Sequence, residues 1–373
     1  MTKLEAARKE YTDWCRAIGI NTMEDLSQAL NEGRGIEFIN LCEARQERKY
    51  AEIADQIYWN KNRNRIVMMA GPSSSGKTSS SLRIAQQCRV LGLNPKVIEL
   101  DNYFVEREQT PLDENGEKDF ECLGAMDVEL LNRQLNALLA GEEVELPKFN
   151  FVEGHKEYNG DRMRLEPNDI LMMEGIHALN PALTYAVPQD RIFRIYICAM
   201  SALEINDEFH GSTTDKRLLR RIVRDNRTRG HSPEDTILRW PSVRKGEIEN
   251  IFPYEENANV MFNSSMLYDL PLLKYYAEPL LCEIKETSPA YEKASSLLEM
   301  LSNVVALKPA EIAAIPPTSI MREFIGGQKL IEQSPCLLHD VVPEEILRTG
   351  GRRPPAYPRL TAPTAVRPRM QTA

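Results

Sequence analysis

The sequence predicts an α/β fold, a parallel sheet with helices on both faces, and three observations carry that expectation. Residues 71–78 read Gly-Pro-Ser-Ser-Ser-Gly-Lys-Thr directly after the apolar run Ile66–Ala70, and Ser79–Leu91 follows with helical character. Strand, glycine-rich loop and helix in that order make a P-loop. Largely apolar runs recur at Lys96–Leu100, Ile170–Met173 and Ile192–Ile197, with Asn259–Asn263 as a further candidate, and helical stretches separate them. Such runs suit strands buried on both faces. Finally, one run ends at Asp101 and another at Glu174-Gly175. Ligands in parallel sheets sit beyond the carboxyl ends of the strands, where these acids fall.

Taken in order, residues 1–58 are expected to be helical: Leu4–Trp14, Met23–Asn31 after the turn signal at Gly19–Thr22, then Ile36–Tyr58. The last stretch spaces Ile39, Cys42, Ile53 and Ile57 among charges, as a helix lying on a larger body does. Residues 59–300 hold the alternating strands and helices and form the expected P-loop domain. Within it, 141–166 combines Gly154 and Gly160 with alternating polarity, the pattern of a small strand-rich insertion. Helices return over Leu270–Leu307, and 301–327 reads as a C-terminal helical extension. Residues 328–373 are expected to be a disordered basic tail. Its last stretch, 350–373, holds five Pro and five Arg and no acid.

Composition bounds the function. The chain has 373 residues, 42% hydrophobic and 27% charged, which is ordinary for a globular protein. A formal net charge of −9 argues against general attraction to nucleic acid or anionic membrane. The seven cysteines include no C-x-x-C pair, as expected of reduced structural thiols. No apolar run reaches the length of a membrane span, so a cytoplasmic protein is expected. A homo-oligomer is left open.

The loop predicts the chemistry. The loop backbone, over Gly71, Pro72, Ser73, Ser74, Ser75 and Gly76 into Ser79, would cradle the phosphates of a nucleoside triphosphate at a helix N-terminus with the N–H groups of its non-proline residues. Lys77 would reach the outer phosphates and the Thr78 hydroxyl would bind Mg²⁺. Phosphoryl transfer further needs carboxylates to hold the metal and to orient the attacking hydroxyl, roles open to Asp101 and Glu174. Arg217, Arg220, Arg221 and Arg224 recur at i, i+3, i+4 and i+7, with Arg229 soon after. That spacing lines one helix face. It serves either a lid that closes over the phosphates or a salt-bridged exposed face with Asp215 and Asp225, and the P-loop favours the lid. His155, His177, His210 and His231 share no metal-ligand spacing; His177 and His155 lie nearest the expected site.

Motifs absent narrow the class. No N-K-x-D guanine-reading string follows the loop, and Ile325-Gly326-Gly327-Gln328 lacks the Ser of a transporter ATPase signature. The strings Gly71–Thr78, Leu100–Phe104, Met173–Ile176 and Asp215–Asp225 together resemble the uridine kinase and phosphoribulokinase family. Trp240–Glu247, Ile251–Pro253 and Met261–Ser264 are similar to its bacterial nucleoside kinase branch. The resemblance spans roughly 60–327; in 1–58 it extends faintly to an editing-associated region of threonyl-tRNA synthetase.

The resemblance implies a nucleoside/nucleotide kinase-like P-loop fold with an Arg-bearing lid, and ATP with Mg²⁺. It implies Asp101 as general base, Tyr103 bordering the acceptor, and Thr78, Asp101 and Glu174 around the metal. Arg221, Arg224 and Arg229 would clamp phosphate. The acceptor side departs from the family pattern. Gly124 stands where the family has a ribose-binding Asp, and Glu121 is the candidate replacement. His155 is shifted by one within the base-binding stretch Phe149–Lys156, and one lid arginine is His231. The expected reaction moves the γ-phosphoryl group of ATP to a nucleoside 5′-hydroxyl. The alternatives are a different acceptor such as a sugar phosphate, or a non-catalytic nucleotide-dependent regulatory or RNA-associated protein.

Overall fold

The computed structural model describes residues 1–330 apart from Asn115, Ala202 and 204–212; the expected tail beyond 330 and His210 lie outside the described residues. The chain opens with helices α1 (Lys3–Ala17), α2 (Met23–Asn31) and α3 (Gly35–Asn60). Then come β1 (Ile66–Ala70), α4 (Lys77–Val90), β2 (Asn94–Glu99) and α5 (Val128–Leu139). The insertion holds β3 (Val144–Glu145), β4 (Lys148–Asn150), β5 (His155–Glu157) and β6 (Arg162–Met163). After it run β7 (Asp169–Glu174), β8 (Ile192–Cys198), α6 (Thr213–Thr228), α7 (Pro233–Asn250) and β9 (Val260–Asn263). The described chain closes with α8 (Asp269–Cys282), α9 (Tyr291–Ser302), α10 (Pro309–Ala314) and α11 (Met321–Ile325).

The main sheet has five strands in the order β2-β7-β1-β8-β9, every neighbouring pair parallel. β1, β7 and β8 are buried along their whole length, because helices cover both faces. Val67 and Met69 of β1 face a core built with Tyr50, Ile53 and Ile57 of α3 and Ile84 and Cys88 of α4. Ile66, Met68 and Ala70 face the opposite core, with Leu131, Leu135 and Leu138 of α5. This two-sided burial explains the unbroken apolar runs.

A third core takes no residue from a strand and is built mainly from helices. It joins Leu26 of α2 and Phe38 and Ile39 of α3 to Leu218 and Ile222 of α6, Leu272 of α8 and Phe324 of α11. α3 therefore spans two cores, its first half in the helical one and its second half under the sheet. The stretches 1–58, 59–300 and 301–327 accordingly pack as one compact unit, Met1–Leu330, rather than as separate bodies. Gln328 and Lys329, assigned by sequence to the tail, belong to it too: the Gln328 amide donates to Ser79 Oγ at 2.7 Å and the Lys329 N–H to the Pro317 carbonyl at 2.9 Å.

Candidate active site

Parallel pairing puts the carboxyl ends of β1, β2 and β7 side by side at one edge, and register sets what meets there. Met69 of β1 and Glu99 of β2 both align with Glu174 of β7. The loop after β1 turns through two left-handed residues, Ser74 at φ 58° and Gly76 at φ 81°. At Gly76 a side chain would also meet Ile320 Cδ1 at 2.3 Å. Gly71 is needed for a different reason than conformation, since a Cβ there would lie 2.0 Å from the Ile197 carbonyl oxygen.

α6 anchors this loop. Arg217 is 1% exposed, and its two terminal nitrogens grip Glu247 of α7 at 2.5 and 2.8 Å. The same guanidinium donates to the Ser73 carbonyl at 3.0 Å, and Glu247 accepts the Ser73 N–H at 2.9 Å. Arg220, fully buried, reaches the Ser74 carbonyl at 3.4 Å and pairs with Asp269 at 2.7 Å. The Ser264 hydroxyl donates to the Ser75 carbonyl. Arg217 and Arg220 are thus interior supports of the loop, a correction to the expectation that all the spaced arginines form a lid. Each buried guanidinium is paired with a carboxylate, which offsets part of the cost of taking its charge out of water.

A cavity of ≈ 370 Å³ opens over the loop, lined by Ser73, Ser74, Gly76, Lys77 and Thr78 and by Asp101, Glu121, Glu174, Arg221, Arg224 and Arg229. Thr78 donates its hydroxyl to Glu174 Oε1 at 2.7 Å. Burial pushes the Glu174 carboxyl up to about 7, against the pull of Lys77 and the Thr78 hydrogen bond. Lys77 Nζ lies on the Gly71 carbonyl at 2.9 Å. Asp101 follows β2 in a short 3₁₀ turn, Leu100–Tyr103. Its carboxyl is raised by desolvation, with Lys77 and Arg229 opposing. Glu121 is raised by desolvation too, opposed by Lys77 and Arg221. Arg221 donates to Ser73 Oγ at 2.7 Å. Arg221, Arg224 and Arg229 converge on the buried Asp225 at 3.2, 2.8 and 3.6 Å. The oxygens of Thr78, Glu174 and Asp101 are the hard donor set that suits Mg²⁺.

Several expected contacts fall elsewhere. Tyr103 is 1% exposed and donates its hydroxyl to Gln134 at 2.7 Å, so it belongs to the core beneath the site. Phe149 is buried in a cluster with Phe104 and Phe151. His155 sits at the insertion surface beside Glu153 and Glu157. His177 is buried under the backbone of Glu121 and Cys122; neither ring nitrogen closes a hydrogen bond among the described residues, and desolvation pushes it down to about 4. None of these four lines the cavity. Gly71, Pro72, Ser75 and Ser79 are not among its lining residues. Sequence reasoning missed Glu99, Glu247 and Glu323, which do line it. Glu99 stands two residues before the expected Asp101, whereas Glu323 carries no local signal at all.

The phosphoribulokinase / uridine kinase family model matches residues 66–270. The chain belongs to this family. The uridine kinase of Halobacterium salinarum is 30% identical over 194 residues, 52% of this chain and 77% of the relative. That of Chloroflexus aurantiacus is 30% identical over 198 residues, 53% of this chain and 85% of the relative. A solved Bacillus stearothermophilus chain described as a possible uridine kinase aligns with 58% of this chain and 98% of its own, at 20% identity and TM-score 0.40. The protein is therefore a kinase of this family, a phosphotransferase with an alcohol acceptor. Among the described residues no helix is long and apolar enough to cross a membrane.

Proposed function

We propose that this kinase moves the γ-phosphoryl group of ATP to the 5′-hydroxyl of a uridine- or cytidine-type nucleoside in the cytoplasm. The observation that carries the reading is the meeting of three strand ends at one cavity, with Thr78 on Glu174 and Asp101 in the same wall. The acceptor hydroxyl oxygen attacks the γ-phosphorus, the bond to the bridging oxygen of ADP breaks, and Asp101 takes the proton. A carboxyl raised by burial is a stronger base than an ordinary one, which suits Asp101 to that role. Lys77 leaves the Gly71 carbonyl for the outer phosphates. Arg221, Arg224 and Arg229 stabilise the charge that spreads over the transferred group. Thr78, Glu174 and Asp101 would hold Mg²⁺, which would supply positive charge against the phosphates.

The cavity's charges favour a neutral acceptor. Its cations are engaged by the loop or by Asp225, namely Lys77, Arg221, Arg224 and Arg229. The remaining wall includes the acids Glu99, Asp101, Glu121, Glu174, Glu247 and Glu323 and the carbons of Ile176, Val243 and Ile251. A phosphate-bearing acceptor would face acids there; a nucleoside would offer hydroxyls to them. The second reading, a sugar-phosphate acceptor, draws on Gly124 standing where a ribose-binding Asp is expected. A phosphoryl-transfer assay over nucleosides and sugar phosphates separates the two. Pyrimidine nucleosides are expected to give the strongest Mg²⁺-dependent signal, and Asp101→Asn is expected to lower kcat by about 10²- to 10⁴-fold while nucleotide still binds. Turnover with sugar phosphates alone would refute the nucleoside reading.

A further inference from the structure

The loop's helix does not present all its free donors to the cavity. The first i to i−4 bond of α4 is Ser80 N–H to the Gly76 carbonyl, at 3.0 Å. The N–H groups of Lys77, Thr78 and Ser79 are therefore the unpaired first-turn donors that hold an anion in a P-loop. One of them already has an anion. Glu323 Oε2 accepts the Ser79 N–H at 3.4 Å and the Ser79 hydroxyl as well. Gln328 donates to that hydroxyl at 2.7 Å, and Ile320 packs against Gly76.

The carboxylate comes from α11, beyond residues 66–270 of the family match. The backbone of α11 is tied to α6 rather than to the loop. Arg227 donates to the carbonyls of Glu323 and Phe324 at 3.1 and 3.2 Å. Arg220 lies over the Phe324 ring at 4.9 Å. Within α11 the hold on Ser79 comes from the Glu323 side chain, which can leave while the helix stays docked. Glu323 also lines the cavity with Glu174 and Arg229. Two anions in one corner repel at about 332/(εr) kcal/mol, and a phosphate on Ser79 would stand within a few ångströms of this carboxylate.

We propose that Glu323 is a built-in competitor for the donor nucleotide: its carboxylate holds the Ser79 corner of the phosphate cradle and yields it to phosphate on binding. The inference rests on the reading that the loop binds a nucleoside triphosphate, and it adds a residue of the C-terminal extension to that site. The occupant of the corner is an α- or β-phosphate of the donor, since Ser79 lies beyond Lys77 and Thr78 along the cradle.

The test uses the full chain, with ADP and a non-hydrolysable ATP analogue plus Mg²⁺ in calorimetric titrations. Glu323→Gln keeps an acceptor oxygen and loses the charge; Glu323→Ala loses both. Both variants are expected to bind nucleotide roughly fivefold or more tightly than the native chain, the low end of coupling between linked events. In thermal unfolding both are expected to lose Tm without nucleotide and to match the native chain when saturated with it. Unchanged or weaker binding, or an equal Tm loss in both states, would overturn the proposal and leave Glu323 a plain structural contact or a nucleotide ligand. If the native chain binds no nucleotide, the kinase reading falls with it; if it binds and the variants match it, only the displacement falls. Acceptor preference does not enter either readout.

Discussion

At the scale of single residues, Glu174 and His177 are two buried titratable groups whose pH effects run in opposite directions. Glu174 is raised from 4.5 to about 7 by burial. The folded state therefore binds its proton more tightly than the unfolded chain, and that stabilisation, full below pH 4.5, is lost as pH rises to about 7. In nucleotide-free, metal-free protein the loss is on the order of 3 kcal/mol. Glu174→Gln is expected to remove it, read as a flatter dependence of urea unfolding on pH over that window. His177 is lowered from 6.5 to about 4. Its neutral form is the one folded in, so stability is present above pH 6.5 and lost as pH falls towards 4. His177→Phe is expected to soften the acid side of the stability profile; an unchanged profile would show that burial does not hold the ring neutral. Neither shift was legible in the sequence, because each comes from neighbours distant along the chain.

At the scale of elements, α6 is one helix with two duties. Its arginine spacing was readable, and so was the presence of a face. What that face meets was not. Arg217 and Arg220 turn into the protein because Glu247 of α7 and Asp269 at the start of α8 wait there, and Arg221 and Arg224 stay at the cavity. Removing one partner of a buried pair strands the other charge. Glu247→Ala is expected to cost about 3–5 kcal/mol in denaturant unfolding and to loosen the loop, since Ser73 loses its acceptor. Gly76→Ala should act on both stability and nucleotide binding, because the loop needs φ 81° there and the added methyl meets Ile320. Nucleotide affinity unchanged in Gly76→Ala would refute the packing of Ile320 on the loop.

At the scale of the whole molecule, the segments flanking the family match are structural parts of the kinase. The helical core takes Ile312, Ile315, Ile320, Met321, Phe324 and Ile325 from beyond α9. At about 1.5–3 kcal/mol for each buried side chain, their loss is on the order of 10 kcal/mol, as large as the stability of a typical domain. A chain ending at Leu307 is expected to show no cooperative thermal transition, whereas a peripheral extension would leave Tm within a few degrees. The same argument holds for α3, whose Phe38 and Ile39 join one core and Ile53 and Ile57 another.

Local chemistry was enough to read the strand–loop–helix, the acids at the strand ends and the strand-rich insertion. Each is a run of neighbouring residues whose periodicity or composition dictates its own backbone. The family followed from those same strings in order. Tertiary structure alone decided which arginines are interior, that Tyr103 and Phe149 are core, and that Glu323, 244 residues from Ser79, enters the cavity. Those outcomes depend on which surfaces meet when separate helices pack, and a pairing across such distances leaves no periodic trace in one chain.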